Sequence, residues 1–155
     1  MVLNDVKLVG RSGVFNIGID GAQISFVSQT PFAEFDDPLQ LNFKNAIALP
    51  GLINSHDHLD FNLFPQLGYK TYANYVDWGE HIHREHKDEI ERVLKVPIAL
   101  RAQWGMYKNL LCGVTTVLNH GQPLHIHEPL ITVFSHCQSL HSVKLERDWK
   151  VRLNN

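Results

Sequence analysis

The sequence predicts an α/β protein in two parts, a small β-rich segment over residues 1–50 and a stretch over 51–155 in which strands and helices alternate as in a parallel sheet. Three observations carry this. Short β-rich runs separated by turn signals occupy residues 1–50. A Pro50-Gly51 turn then opens a short apolar run that meets polar sequence at His56-Asp57-His58. Finally, a helix-patterned stretch at 98–111 stops at Gly113 and gives way to the β-branched run Val114-Thr115-Thr116-Val117-Leu118.

Composition narrows the function classes before any motif is considered. With 44% hydrophobic and 19% charged residues, the chain groups with folded proteins rather than disordered ones. A formal charge of −2 gives no electrostatic reason to expect nucleic acid or an anionic membrane as partner. The N-terminus lacks a basic region followed by a sustained apolar core, and no window approaches 18 apolar residues in a row, so a soluble, cytoplasmic protein is expected. Cys112 and Cys137 form no C-x-x-C pair and imply no disulfide framework. The ten histidines are the outlying feature, one that metal chemistry and scattered surface histidines would both produce.

Taken in order, Val6, Leu8 and Val9 form a first candidate strand, Val14 to Ile19 a second, and Ile24 to Val27 a third. Asp20-Gly21 between the last two is a hairpin signal, because glycine supplies the positive φ that the tight turn requires. The acids Glu34, Asp36 and Asp37 have no histidine or cysteine among them and read as a solvated loop. Leu39, Leu41 and Phe43 alternate with polar residues as a half-buried strand does. If residues 52–58 are extended, the period of two puts His56 and His58 on one face and Asp57 on the other. Two parallel imidazoles can hold one divalent metal, although two ligands alone do not make a site. Residues 59–65 would form the loop from that strand to its helix, which makes Asp60 and Asn62 candidate pocket residues.

Helices are expected over 71–112, broken into pieces. Ile90, Val93 and Leu94 mark one apolar side, Pro97 suits the first position of a new helix, and Ala102, Met106, Leu110 and Leu111 mark the core side of the next. His81, His83 and His86 read as surface histidines, and without an H-E-x-x-H sequence they support no metallopeptidase helix. A helix leading into the strand at 114–118 makes a β–α–β unit with the strand at 52–58, so a parallel sheet with a right-handed crossover follows. His120 then emerges at the same end of the sheet as His56 and His58, as either a pocket histidine or a loop residue. A second H-x-H, His125 and His127 before Glu128, follows a Gly-Gln-Pro turn, so the strand reasoning is weaker there. Leu130 to Phe134 make a third strand, and His136 beyond it is a further pocket candidate.

The run LPGLINSHDHL at 49–59, preceded by short strands and followed by Gly113-Val114-Thr115-Thr116-Val117, resembles the start of metal-dependent amidohydrolase superfamily enzymes. Within that superfamily it looks most like the imidazolonepropionase, cytosine deaminase and chlorohydrolase branch. The resemblance implies that 1–50 is a small β-domain and that 51–155 is the first part, about three β/α units, of an incomplete TIM-like barrel. It also implies that His56 and His58 are two ligands of a catalytic divalent metal, zinc being the first choice. No metal ligand stands at the position of His120 in that pattern. Because a closed barrel takes on the order of 250 residues, the expectation is the N-terminal part of a longer enzyme, with the further metal ligands that the resemblance implies and the catalytic base both beyond Asn155. Hydrolysis of amide, cyclic amide or amidine-type C–N bonds in a small-molecule substrate is the implied activity. The alternative is a non-catalytic metal-binding or subunit-interaction module of the same fold. Either way the open sheet edge needs further barrel residues or another chain, a second copy included, to cover it.

Overall fold

Asp20 and Gly21 stand at the tip of an antiparallel hairpin in the computed structural model, which describes residues 1–30, 39–120, 122–124, 126–135 and 146–152. Strands β2 (Phe15–Asp20) and β3 (Gln23–Ser28) pair with Asp20 opposite Gln23, and Gly21 takes φ +56°. The acids Glu34, Asp36 and Asp37, and likewise His125, His136 and Cys137, lie outside the described residues.

The chain divides into two units, Met1–Pro50 and Gly51–Asn155. In the first, β1 (Val2–Leu8) pairs antiparallel with β2, and Val2, Val6, Phe15 and Ile17 are buried. The first strand starts four residues earlier than its apolar pattern indicated, with Asp5 at φ +60° inside a shift of register between Leu3 and Val6. Two short strands, β4 (Gln40–Asn42) and β5 (Ile47–Ala48), both add to β1 in parallel. Leu39 and Leu41 are 51% and 40% exposed rather than half-buried, because β4 lies at the edge of the sheet order β3-β2-β1-β4.

The second unit is built on a parallel three-stranded sheet, β6 (Leu52–Asp57), β7 (Val114–Asn119) and β8 (Thr132–Phe134), in that spatial order. Between β6 and β7 run a 3₁₀ turn at Leu59–Phe61 and the helices α1 (Tyr75–Glu85), α2 (Lys87–Leu94) and α3 (Ile98–Leu111). The Asn74 side chain caps α1 by accepting from the amides of Val76 and Asp77 at 2.9 and 3.1 Å. Pro97 precedes α3 with ψ 137°, one residue outside the helix rather than its first turn. Gly113 then takes φ +78° after the helix, and β7 begins at the next residue. A single turn, α4 (Trp149–Arg152), ends the described chain.

Leu59, Ala102, Met106, Val117 and Ile131 form the core of this unit, with Val114, Leu124, Ile126 and Val133 packed around it. Helix α3 is rotated from the face that its apolar spacing suggested. Leu110 and Leu111 are 41% and 82% exposed and Trp104 is exposed, while Arg101, Gly105 and Asn109 are buried beside Ala102 and Met106. Gly105 explains the close approach, because a Cβ there would collide with the backbone of Leu59. Among the described residues β6 and β8 each pair only with β7, and Leu52, Ile53 and Phe134 on these outer strands are exposed. No described helix is long and apolar enough to cross a membrane.

Candidate metal centre

Strand β6 delivers its last residues to opposite sides, as a period of two requires. Asp57 turns toward α3 and is held by three amides. Its Oδ2 accepts from Asn109 Nδ2 at 2.5 Å and Asn54 Nδ2 at 3.1 Å, and its Oδ1 accepts from Asn62 Nδ2 at 2.7 Å. The same network closes on itself, since Asn109 also donates to the Gly105 carbonyl at 2.9 Å and accepts from Asn54 at 3.0 Å. A charge-assisted network of this kind fixes the end of the strand better than the ladder alone.

The neighbouring strand end is tied to it. The His120 amide donates to the Asp57 carbonyl at 2.6 Å. Asn119, buried beside it, accepts from the Leu59 amide at 3.1 Å and donates to the Gln122 carbonyl at 3.3 Å. With both ends locked, three imidazoles converge on the carboxyl side of β6 and β7. Ring centroids lie 5.5 Å apart for His56 and His58, 4.5 Å for His56 and His120, and 5.0 Å for His58 and His120. One nitrogen from each falls within 4.8 Å of the other two. His56 is exposed, and His58 and His120 are half-buried. The His58 ring also stacks on Phe61, with centroids 5.3 Å apart and planes 12° apart.

The donor set fits a divalent ion. Three imidazoles sharing a tetrahedral zinc with Zn–N near 2.0–2.1 Å would have nitrogens about 3.3 Å apart and ring centroids about 5 Å apart. The observed centroid separations already centre on that value, so small ring rotations bring the nitrogens in. Nitrogen donors of this kind suit zinc, iron and nickel alike.

The structure places the other candidates differently. The Asp60 carboxylate stands 3.7 Å from Arg101 Nη1, which also donates to the Asp60 carbonyl at 2.9 Å, while Arg101 Nε donates to the Val96 carbonyl at 3.1 Å. The Asn62 amide serves Asp57 and, at 3.2 Å, the His58 carbonyl. Both residues therefore hold the turn that carries His58. His127 is exposed and belongs to no histidine cluster among the described residues. His81 departs from the surface role expected of it, being only 5% exposed, because the rings of Tyr69 and Tyr72 cover it with centroids 5.1 and 5.4 Å away. Burial pushes its pKa below the ordinary value, and the Lys70 cation adds to that direction.

Sequence reasoning missed the asparagine anchors. Their signal was Asn109, a polar residue four positions after Gly105 and three after Met106, and so on the buried side of a helix. An apolar cavity of about 480 Å³ opens beyond Phe61, lined also by Phe64, Trp78, Ile82, Ile90 and Leu94. The ring that stacks on His58 is thus also part of the cavity wall.

No family model matches the chain, and no curated protein matches it. Among solved structures the chain is similar to an amidohydrolase at 23% identity and TM-score 0.47, over 76% of this chain and 24% of that one. It is also similar to a mutant of the atrazine chlorohydrolase TrzN from Arthrobacter aurescens TC1, complexed with zinc and atraton, at 26% identity and TM-score 0.52, over 76% of this chain and 28% of that one. The chain spans about a quarter of the length of these two structures. Over three-quarters of its own length, its mixed α/β fold is similar to part of a zinc-complexed chlorohydrolase.

Proposed function

We propose that this chain belongs to a metal-dependent hydrolase of the amidohydrolase type, in which residues 51–155 form the first part of a (β/α) barrel and residues 1–50 a small β-domain before it. The observation that carries the reading is the convergence of His56 and His58 at the carboxyl end of β6, with Asp57 locked on the opposite side. Active sites of α/β barrels are built at that end of the strands. The zinc in the chlorohydrolase supports a divalent ion, zinc first, as the group held here.

His56 and His58 would hold the ion through neutral ring nitrogens. When bound, such an ion supplies a Lewis acid that brings the pKa of water toward 7. Asp57 keeps both imidazoles aimed to one side through its three amide contacts. Phe61 orients the His58 ring by stacking and gives the adjoining space an apolar wall. A small-molecule substrate with an sp2 carbon bonded to nitrogen, or to another heteroatom leaving group, fits this arrangement. His120 stands beside the two histidines, while Asp60 and Asn62 contribute by holding the turn that carries His58. Asp57 is committed to the asparagines and Asp60 faces Arg101, so the proton-carrying carboxylate is assigned elsewhere in the whole protein.

The test is metal analysis of the whole protein from its native source, together with turnover on a panel of amides, cyclic amides, amidines and halogenated heteroaromatics. We expect one equivalent of a divalent metal and hydrolysis that His56→Ala or His58→Ala abolishes. Metal-free protein, or turnover intact in both variants, would remove the reading.

A further inference from the structure

We infer that the apolar cavity beside Phe61 receives an uncharged aryl or alkyl substituent of the substrate, and that Gly79 keeps the space for it open. The inference rests on the hydrolase reading above and deepens it by naming the substrate class: amides or heteroaromatics that carry a neutral apolar group of one or two rings.

Volume and lining set that class. An apolar cavity of about 150 Å³ is enough to hold benzene. This one, at about 480 Å³, has room for a bicyclic group or for a ring with a short alkyl chain. Ile82 and Ile90 in its wall are buried, at 6% and 7% exposed. Trp78 Nε1 is already committed to the Leu67 carbonyl at 2.9 Å, so the indole offers a ligand only apolar surface. Among the described residues no carboxylate, ammonium or guanidinium lines the cavity, and Gln66 and His83 are its only polar side chains. A charged substituent would lose its hydration there without gaining a counter-ion.

Gly79 stands within α1, where glycine is the least favourable residue after proline. Close packing does not demand it. A Cβ built at Gly79 would meet no atom within 4 Å, whereas one at Gly105 would strike the Leu59 backbone. The space left open at Gly79 belongs to the cavity, which this residue lines. The cavity in turn adjoins the proposed metal centre through Phe61, whose ring stacks on His58 at 5.3 Å and meets Phe64 edge-on at 5.8 Å. Phe61 is 51% exposed, so a single, half-open ring stands between a metal-binding imidazole and the cavity. A substrate held at the metal would lay its substituent along that ring.

Ligand NMR titrations of the whole protein test this, first with metal removed so that binding is read without turnover. Acetanilide, 4-propylacetanilide and 4-acetamidobenzoate share one ring and one amide and differ in the para group, which is hydrogen, neutral alkyl or carboxylate. Each buried methylene is worth about fourfold in affinity, so the propyl compound should bind at least about tenfold tighter than acetanilide, and the carboxylate no tighter. Gly79→Leu adds a side chain without a clash and with better helix propensity, so its melting midpoint should not fall. In that variant the propyl and parent compounds should come within about threefold of each other. With metal restored, kcat/KM for the three amides should follow the same order.

If the three compounds bind alike, or if Gly79→Leu keeps the preference for propyl, the inference is overturned whatever the metal analysis gives. A preference in binding that kcat/KM does not follow in a metal-loaded, active protein overturns it as well. If the preference is present and is lost in Gly79→Leu, but the protein neither holds metal nor hydrolyses an amide, the cavity is upheld as a binding site and the hydrolase reading falls.

Discussion

Two regions of the second unit are rich in histidine, and they differ in what their backbone does with it. At the end of β6, His56 and, one residue past the strand, His58 bring their rings within 5.5 Å of each other, and His120, one residue past β7, joins them. On α1 and its exit, His81, His83 and His86 are just as close in sequence but scatter. His81 is buried against Tyr69 and Tyr72, His83 is exposed beside the apolar cavity, and His86 turns its Nδ1 toward Glu89 at 3.9 Å. The rings of His81 and His86 stand 6.3 Å apart at an angle of 64°. A period of two gathers alternate residues, whereas 3.6 residues per turn sends them around a cylinder. Histidine content alone therefore does not mark out the clustered rings, whereas backbone period does.

The largest expected effect breaks that comparison at its strand end. His58→Ala should weaken zinc binding by more than about 100-fold, some 2.7 kcal/mol or more, while His83→Ala leaves it unchanged in the same titration. Asp57→Ala should come next. It removes the charged acceptor shared by the amides of Asn54, Asn62 and Asn109, leaving each with its weaker second contact, so we expect a stability loss of about 2 kcal/mol by urea denaturation and roughly tenfold weaker zinc binding. Equal zinc affinity in this variant would show that the anchor is structural only. Gly105→Ala should be smaller, about 1–2 kcal/mol, because its Cβ meets the Leu59 backbone and the 3₁₀ turn must shift away from α3. The circular dichroism melt of that variant checks it, and an unchanged midpoint would mean that the turn yields freely.

What could be read without coordinates was local, and what could not was a matter of distant partners. The hairpin at Asp20-Gly21, the helix end at Gly113 and the parallel strand after it follow from turn chemistry and β-branching, although only Val117 and Asn119 of that strand are fully buried. The parallel docking of β4 and β5 on β1 has no such signature, since it pairs residues some forty positions apart. The rotation of α3 was hidden for a related reason. Apolar spacing favours Leu110 and Leu111, but the helix settles where Asn109 reaches Asp57 and Arg101 reaches the carbonyls of Val96 and Asp60. Each buried polar group left unpaired would cost about 1–3 kcal/mol, more where charged as at Asp57 and Arg101, which offsets the burial that the two leucines at the helix end forgo. At the site, alternation placed His56, His58 and Asp57 on opposite sides, and the parallel strand put His120 at the same end. The distances among them depend on strand pairing, which one sequence does not disclose.

His81 offers the finest test of the same contrast, because it is the histidine of the helical group that the fold buries. Its neighbours are Tyr69, Tyr72 and His86, with Lys70, Arg84 and Glu85 supplying charge nearby. Burial is the main reason that its pKa lies below 6.5, with Lys70 and Arg84 acting in the same direction and Glu85 against it. The unfolded chain then binds a proton more readily than the folded one. Stability from the neutral ring is fully present above pH 6.5 and is lost as pH falls through the lowered folded value. Urea midpoints of the unaltered chain should therefore fall between pH 7.5 and pH 5, and His81→Leu should flatten that fall, with the zinc-free chain used throughout so that the strand histidines do not contribute through metal. If the slope with pH is the same in both chains, the acid sensitivity belongs to another group, and burial of His81 has no consequence for stability in this range.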